Sequence, residues 1–241
     1  MILFLITLLI GKLFIIYPRH QTYSAHNLLD ACHEQTQTAL VFDLHGVIFR
    51  FDPILAVTAA TTAISKILLL RTVLNPFIIW DVIKLLHNSA VVEEAIMAIG
   101  YKYPNLKAII PTALKIANAQ IPIIPTVQLI KQMKRNGFRL YIFSNIGEQS
   151  ANILKTKYPE IFALFDGILV TESRDNYIMK PSQAAFNKFL TKFNLEKKQI
   201  IFIDDKQSNI HIARTMGIAA IQFVNPCQCK QLLQKIVPLS N

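Results

Sequence analysis

The sequence predicts an α/β fold: a doubly wound, mostly parallel sheet with an inserted α-helical region. Three observations predict it. Residues 39–43, 138–144 and 199–204 are short, near-continuous runs of aliphatic and aromatic residues, the pattern of parallel strands buried on both faces. Segments 127–136, 182–193 and 207–216 carry apolar residues at helical spacing and lie between or after those runs, which makes a strand–helix–strand alternation. The alternation is broken once, over 52–126, where only helical segments are readable.

In chain order, residues 1–17 come first and are apolar except for Lys12. As a helix they would span roughly 25 Å, at the short end for crossing a bilayer. Nothing basic precedes Lys12 and no small-residue cleavage pattern follows, so an uncleaved anchor with a cytoplasmic catalytic domain is expected. A buried N-terminal helix is the alternative reading. Residues 19–38, rich in His, Gln, Thr and Asn, read as a linker.

The core is expected over 39–51 and 127–241, with further strands at 165–171 and 219–223. The intervening 52–126 reads as helices at about 53–71, 76–88, 91–100 and 106–119, punctuated by Pro76, Pro104 and Pro122. Its basic residues Lys66, Arg71, Lys84, Lys102, Lys107 and Lys115 outnumber the acids Asp81, Glu93 and Glu94.

The whole chain carries a net charge of +10, with 52% hydrophobic and 17% charged residues. A basic balance suits an anionic partner. No Lys/Arg run interleaved with aromatics is present, so nucleic acid is not expected. Cys32, Cys227 and Cys229 make no disulfide framework. Cys227 and Cys229 alone are half a metal site at most.

Ligands of doubly wound sheets bind at the carboxyl ends of the strands. Asp43, Ser144 and the pair Asp204–Asp205 all stand at such ends. Phosphoryl transfer needs a nucleophile, a cation to offset phosphate charge and donors for the phosphate oxygens. Asp43 offers the nucleophile and Ser144 a donor, and Lys180 offers a positive charge. Two adjacent carboxylates are costly to hold together without a cation. Oxygen-only ligation suits Mg²⁺.

The string VFDLHGVI (41–48) resembles the first motif of the haloacid dehalogenase-like (HAD) hydrolase superfamily, hhhDxDGxh. IFSN (142–145), MKP (179–181) and FIDDKQSN (202–209) resemble its second, third and fourth motifs, in order. The resemblance covers nearly everything from 39 to 224 and implies a Rossmann-like core. The insertion matches the helical cap of the first type. The wording is similar to the sugar-phosphatase and epoxide-hydrolase-phosphatase branch. It implies a Mg²⁺-dependent phosphatase acting on a small phosphorylated metabolite through an aspartyl-phosphate.

Position by position, the resemblance makes Asp43 the nucleophile and a ligand, and the backbone carbonyl of His45 a second ligand. Asp205 is the main ligand of the fourth motif, with Asp204 supporting it and Asn209 behind them. Ser144 and Asn145 would bind phosphate, and Lys180 would steady the negative charges.

The chain departs from the family at His45, where the second aspartate of the first motif acts as acid and base. Two readings stay open. The imidazole reads either as a substitute proton carrier or as the mark of a membrane-tethered binding protein that turns over weakly or not at all. Asp52, where the chain enters the insertion, reads as a hinge residue or as a spare acid.

Overall fold

The computed structural model describes residues 38–62, 75–78, 80–81, 84, 91–173, 178–197 and 200–236. The apolar segment 1–17, the linker up to residue 37 and much of the helices expected over 53–71 and 76–88 lie outside the described residues. Among the described residues no helix is long and apolar enough to cross a membrane.

The chain forms two compact units. One joins the stretch that ends at Phe51 to the chain from Gln120 onward; the other is Asp52–Ala119. The second unit is helical. It holds α1 (Pro53–Thr62), α2 (Val92–Lys102), a 3₁₀ segment (Pro104–Ile109) and α3 (Ile110–Ala117). Asp52 starts it, because its Oδ1 accepts hydrogen bonds from the backbone N–H groups of Ile54 (2.8 Å) and Leu55 (3.0 Å). That is a helix cap, so the carboxylate read as a spare acid serves to start α1.

The other unit begins with β1 (Ala39–Phe42) and β2 (Phe49–Phe51). The chain returns through β3 (Gln120–Pro122), which pairs antiparallel with β2, and α4 (Ile124–Arg135). This returning ribbon lies ahead of the expected core boundary at 127. It was illegible because each strand is only 3 residues long, too short for a periodicity.

There follow β4 (Arg139–Gly147), α5 (Glu148–Lys157), α6 (Pro159–Phe162), β5 (Gly167–Thr171), α7 (Gln183–Phe193), β6 (Ile200–Asp204), α8 (Gln207–Thr215), β7 (Ala219–Gln222) and α9 (Pro226–Ile236). The five core strands form one parallel sheet in the order β5-β4-β1-β6-β7. The fold class read from the sequence is therefore the one observed.

Strand alternation explains why the core runs looked uniformly apolar. Leu40 and Phe42 point to one face, with Leu140, Ile142, Ile201 and Ile203, and meet Ile130, Met133 and Leu154 from the helices. Ala39 and Val41 point to the other, with Phe143 and Phe202, and meet Phe186, Phe189 and Ile210. Burial of each such large side chain stabilises by roughly 1.5–3 kcal/mol.

On the second face Phe143 stacks on Phe189 (4.9 Å between centroids) and meets Phe186 edge-on (5.2 Å). Cys229 is buried in α9, and burial pushes its thiol up to about 12, while Cys227 is exposed. Cys229 is thus a core residue, which answers the half-site reading of this pair.

Leu140 is fully buried near the start of β4. Leu140→Ala is expected to cost about 2–5 kcal/mol, read as a lowered denaturant midpoint with an unchanged slope.

Candidate active site

β1 delivers Asp43 to the carboxyl edge of the sheet. The residue after the strand still donates its N–H to the carbonyl of Ile203 (2.8 Å), so the turn starts from a fixed point. Ile48 and Phe49 donate their N–H groups back to the carbonyl of Leu44. Gly46 sits in this turn with φ +85, a conformation costly for a residue with a side chain. A Cβ there would fall 2.6 Å from Oδ2 of Asp205. The glycine therefore serves twice, by its backbone conformation and by letting the Asp205 carboxylate approach.

β6 ends on Asp204, which is fully buried. Its carboxylate accepts from Lys180 Nζ (2.6 Å), from Asn209 Nδ2 (2.9 and 3.0 Å to the two oxygens) and from the backbone N–H of Lys206 (2.8 Å). Lys180 is buried as well, between two carboxylates. Its ammonium is in ion-pair contact with Asp43 Oδ1 at 3.1 Å and donates to the Phe143 carbonyl at 2.7 Å. It also stands 5.0 Å and 5.1 Å from the ring centroids of Phe143 and Phe202.

Such a buried cation must be paired and hydrogen-bonded to stay charged. Burial pulls its pKa down, but Asp204 and Asp43 outweigh that and leave it above the ordinary lysine value. For Asp43, burial acts upward, and the charges of Lys180 and Lys206 with a hydrogen bond from Ser144 hold the carboxyl below its usual range. Asp43 is therefore ionised at neutral pH, as a nucleophile must be.

Asn145 holds Lys180 from its backbone. Its Nδ2 donates to the Lys180 carbonyl (2.7 Å) and its Oδ1 accepts from the Lys180 N–H (2.9 Å). A planar amide matches one residue's donor and acceptor at once. The side chain thus fixes the backbone of Lys180 beside the position that the resemblance assigned to phosphate binding.

Asp43, Asp204 and Asp205 each present a ligand atom within 4.8 Å of the others. Asp205 Oδ1 is buried with no hydrogen-bond partner among the described residues. Burial, and then the charges of Asp43 and Asp204, push the Asp205 carboxyl up to about 7. An excess of buried negative charge with a spare oxygen fits a divalent cation. Asp204 gives its oxygens to three donors, which leaves Asp43 and Asp205 as the better-placed ligands.

His45 lies in the same turn. Its Nδ1 is 2.9 Å from Oε1 of Gln120, and burial lowers its pKa, against the pull of that hydrogen bond and of Asp43. Sequence reasoning missed Gln120, which no spacing ties to residue 45. It also missed Lys206, whose charge acts on Asp43, His45 and Asp205 and whose place beside Asp205 was the available signal.

The parallel sheet thus gathers a lysine-paired carboxylate and an acidic pair at its carboxyl edge, where sheets of this kind bind their ligands. Residues 37–217 match the haloacid dehalogenase-like hydrolase family, and the chain belongs to it.

The chain is 25% identical over 202 residues to drimenol cyclase drtB of Aspergillus calidoustus, covering 82% of this chain and 36% of that protein. It is 22% identical over 204 residues to sesquiterpene phosphatase astK of Aspergillus oryzae, covering 83% and 97%. This chain thus corresponds to about a third of the first relative and to nearly all of the second. Among solved structures it resembles a HAD family enzyme of Bacteroides thetaiotaomicron, with a TM-score of 0.58, 16% identity and coverage of 77% and 92%.

Lys180→Met would leave Asp43 and Asp204 as buried charges without their shared cation. A loss of about 3–5 kcal/mol in unfolding free energy is expected by chemical denaturation. Gly46→Ala is expected to cost about 1–2 kcal/mol from its backbone angle alone, seen as a lowered melting temperature.

Proposed function

We propose that this HAD-like hydrolase is a Mg²⁺-dependent phosphatase whose substrate is a phosphorylated hydrocarbon alcohol of the isoprenoid kind. The observation that carries the phosphatase reading is the ionised Asp43 paired with Lys180 beside the spare oxygen of Asp205. The substrate class rests on the phosphatase relative, whose printed activity is on a sesquiterpene and whose whole length this chain nearly matches. In keeping with it, the helical unit exposes Ile54, Phe77, Trp80, Met97 and Tyr101, side chains suited to hydrocarbon.

In this reading Asp43 attacks phosphorus. The bond from phosphorus to the leaving oxygen breaks, and that oxygen departs with the electron pair and takes the Nε2 proton of the His45 imidazolium, which the attacking water later restores to the neutral ring. Water then attacks the aspartyl-phosphate and loses a proton, and the bond to Asp43 breaks to return the carboxylate and inorganic phosphate. Lys180 offsets charge on Asp43 throughout, and Ser144 donates a hydrogen bond at the same carboxylate. His45 is the proton carrier. Asp43 and Asp205, with Asp204 behind them, would hold Mg²⁺, which when bound would supply positive charge against the phosphate oxygens.

The full chain is expected to release phosphate from an aryl phosphate and from farnesyl phosphate or diphosphate in the presence of Mg²⁺. EDTA should abolish this, and Asp43→Asn should lower it by at least ~10³-fold. Absence of turnover over a broad panel of phosphorylated metabolites and prenyl phosphates would sink the phosphatase reading. It would favour the binding-protein reading of His45, in which case His45→Asp should raise turnover sharply. Turnover confined to polar sugar phosphates would overturn the isoprenoid class alone.

A further inference from the structure

We infer that Gln120 is the positioning residue of His45: its side-chain carbonyl accepts the Nδ1–H of the imidazole and so turns Nε2 to the reaction. The inference rests on the phosphatase reading for its kinetic part and on geometry for the rest.

The contact joins residues 75 apart in sequence at 2.9 Å. Gln120 is only 3% exposed, and its place is fixed from several sides. It opens β3, in register with Phe51 of β2. Its own backbone carbonyl accepts from the Tyr158 hydroxyl (3.2 Å). Two residues further on, Pro122 pairs with Phe49, and the Ile123 N–H bonds to the Ile48 carbonyl (2.8 Å). On the other side, Gly46 donates its N–H to the Phe49 carbonyl (2.7 Å). The turn carrying His45 and the strand carrying Gln120 are thus parts of one hydrogen-bonded frame, and the side-chain bond closes across it.

An amide oxygen has no proton to give, so the nitrogen it meets must carry one. A neutral imidazole protonated on Nδ1 has its lone pair on Nε2. A proton carrier requires both a set ring direction and a set tautomer, and an orienting acceptor on the other ring nitrogen is the general means of fixing both. An aspartate needs no such partner to choose which atom bears the proton, since its two oxygens are equivalent. Gln120 is therefore a requirement that comes with histidine at this position.

The test uses the full chain labelled with ¹⁵N. In the wild type, His45 should show Nδ1 in the protonated range and Nε2 in the unprotonated range at a pH where the ring is neutral. The opposite pattern would overturn the inference, and this measurement needs no turnover. Gln120→Leu should erase the single-tautomer signature and lower kcat about 10- to 100-fold with KM changed less than about threefold. Gln120→Glu keeps an acceptor and should restore most of kcat.

Equal kcat in the wild type and a folded Gln120→Leu variant would overturn the inference. So would a Glu variant no better than Leu when both melt cooperatively. If the wild type has no phosphatase activity, that reading fails, while the nitrogen shifts still decide the contact.

Discussion

Lys180 is a buried cation, and much of the site is arranged by its need for partners. Two carboxylates from different strands, the carbonyl of Phe143 and two aromatic faces surround one ammonium. Each carboxylate alone would be expensive to bury, and so would the lysine; the pairing keeps Lys180 charged and Asp43 below its usual range, while burial leaves the Asp204 carboxyl above its own. The aromatic cluster on that face of the sheet has the same dependence. Phe143 and Phe202 contribute apolar packing on one side and a place for a positive charge on the other. The site is thereby continuous with the core.

Around this pair the remaining side chains divide the work. Asp204 is saturated by donors and serves as an anchor. Asp205, next in sequence, keeps an oxygen without a donor. Neighbouring aspartates have thus become unlike because one ends a buried strand and the other starts the loop beyond it. Asn145 is likewise committed to Lys180 through the backbone, which leaves Ser144 as the hydroxyl bonded to Asp43.

The parallel strands were legible because burial on both faces leaves an unbroken apolar run, and the polar residue ending each run marked the catalytic edge. Asp43, Ser144, Lys180, Asp204 and Asn209 are accordingly brought together by the structure. What could not be read depends on long-range pairing. The short ribbon of β2 and β3 has no periodicity of its own, and Gln120 is a lone polar residue until that ribbon places it beside His45. The bonds of Asn145 to Lys180 were illegible for a related reason: its partner is a backbone, which leaves no trace in residue identity. Helices α5, α6 and α9 also went unread.

The strand order has a consequence for how the molecule is made. β1 is the central strand, and its two neighbours begin at Arg139 and Ile200. As the chain leaves the ribosome, β1 emerges well before either of its neighbours in the sheet, which follow only after the whole helical unit has been synthesised. Local helical contacts form quickly, whereas parallel pairing across such separations is slow. The helical unit is thus free to fold while β1, an exposed and strongly apolar segment, waits. During synthesis this short stretch beside Asp43 stays open to non-native contacts for longer than the helical unit does.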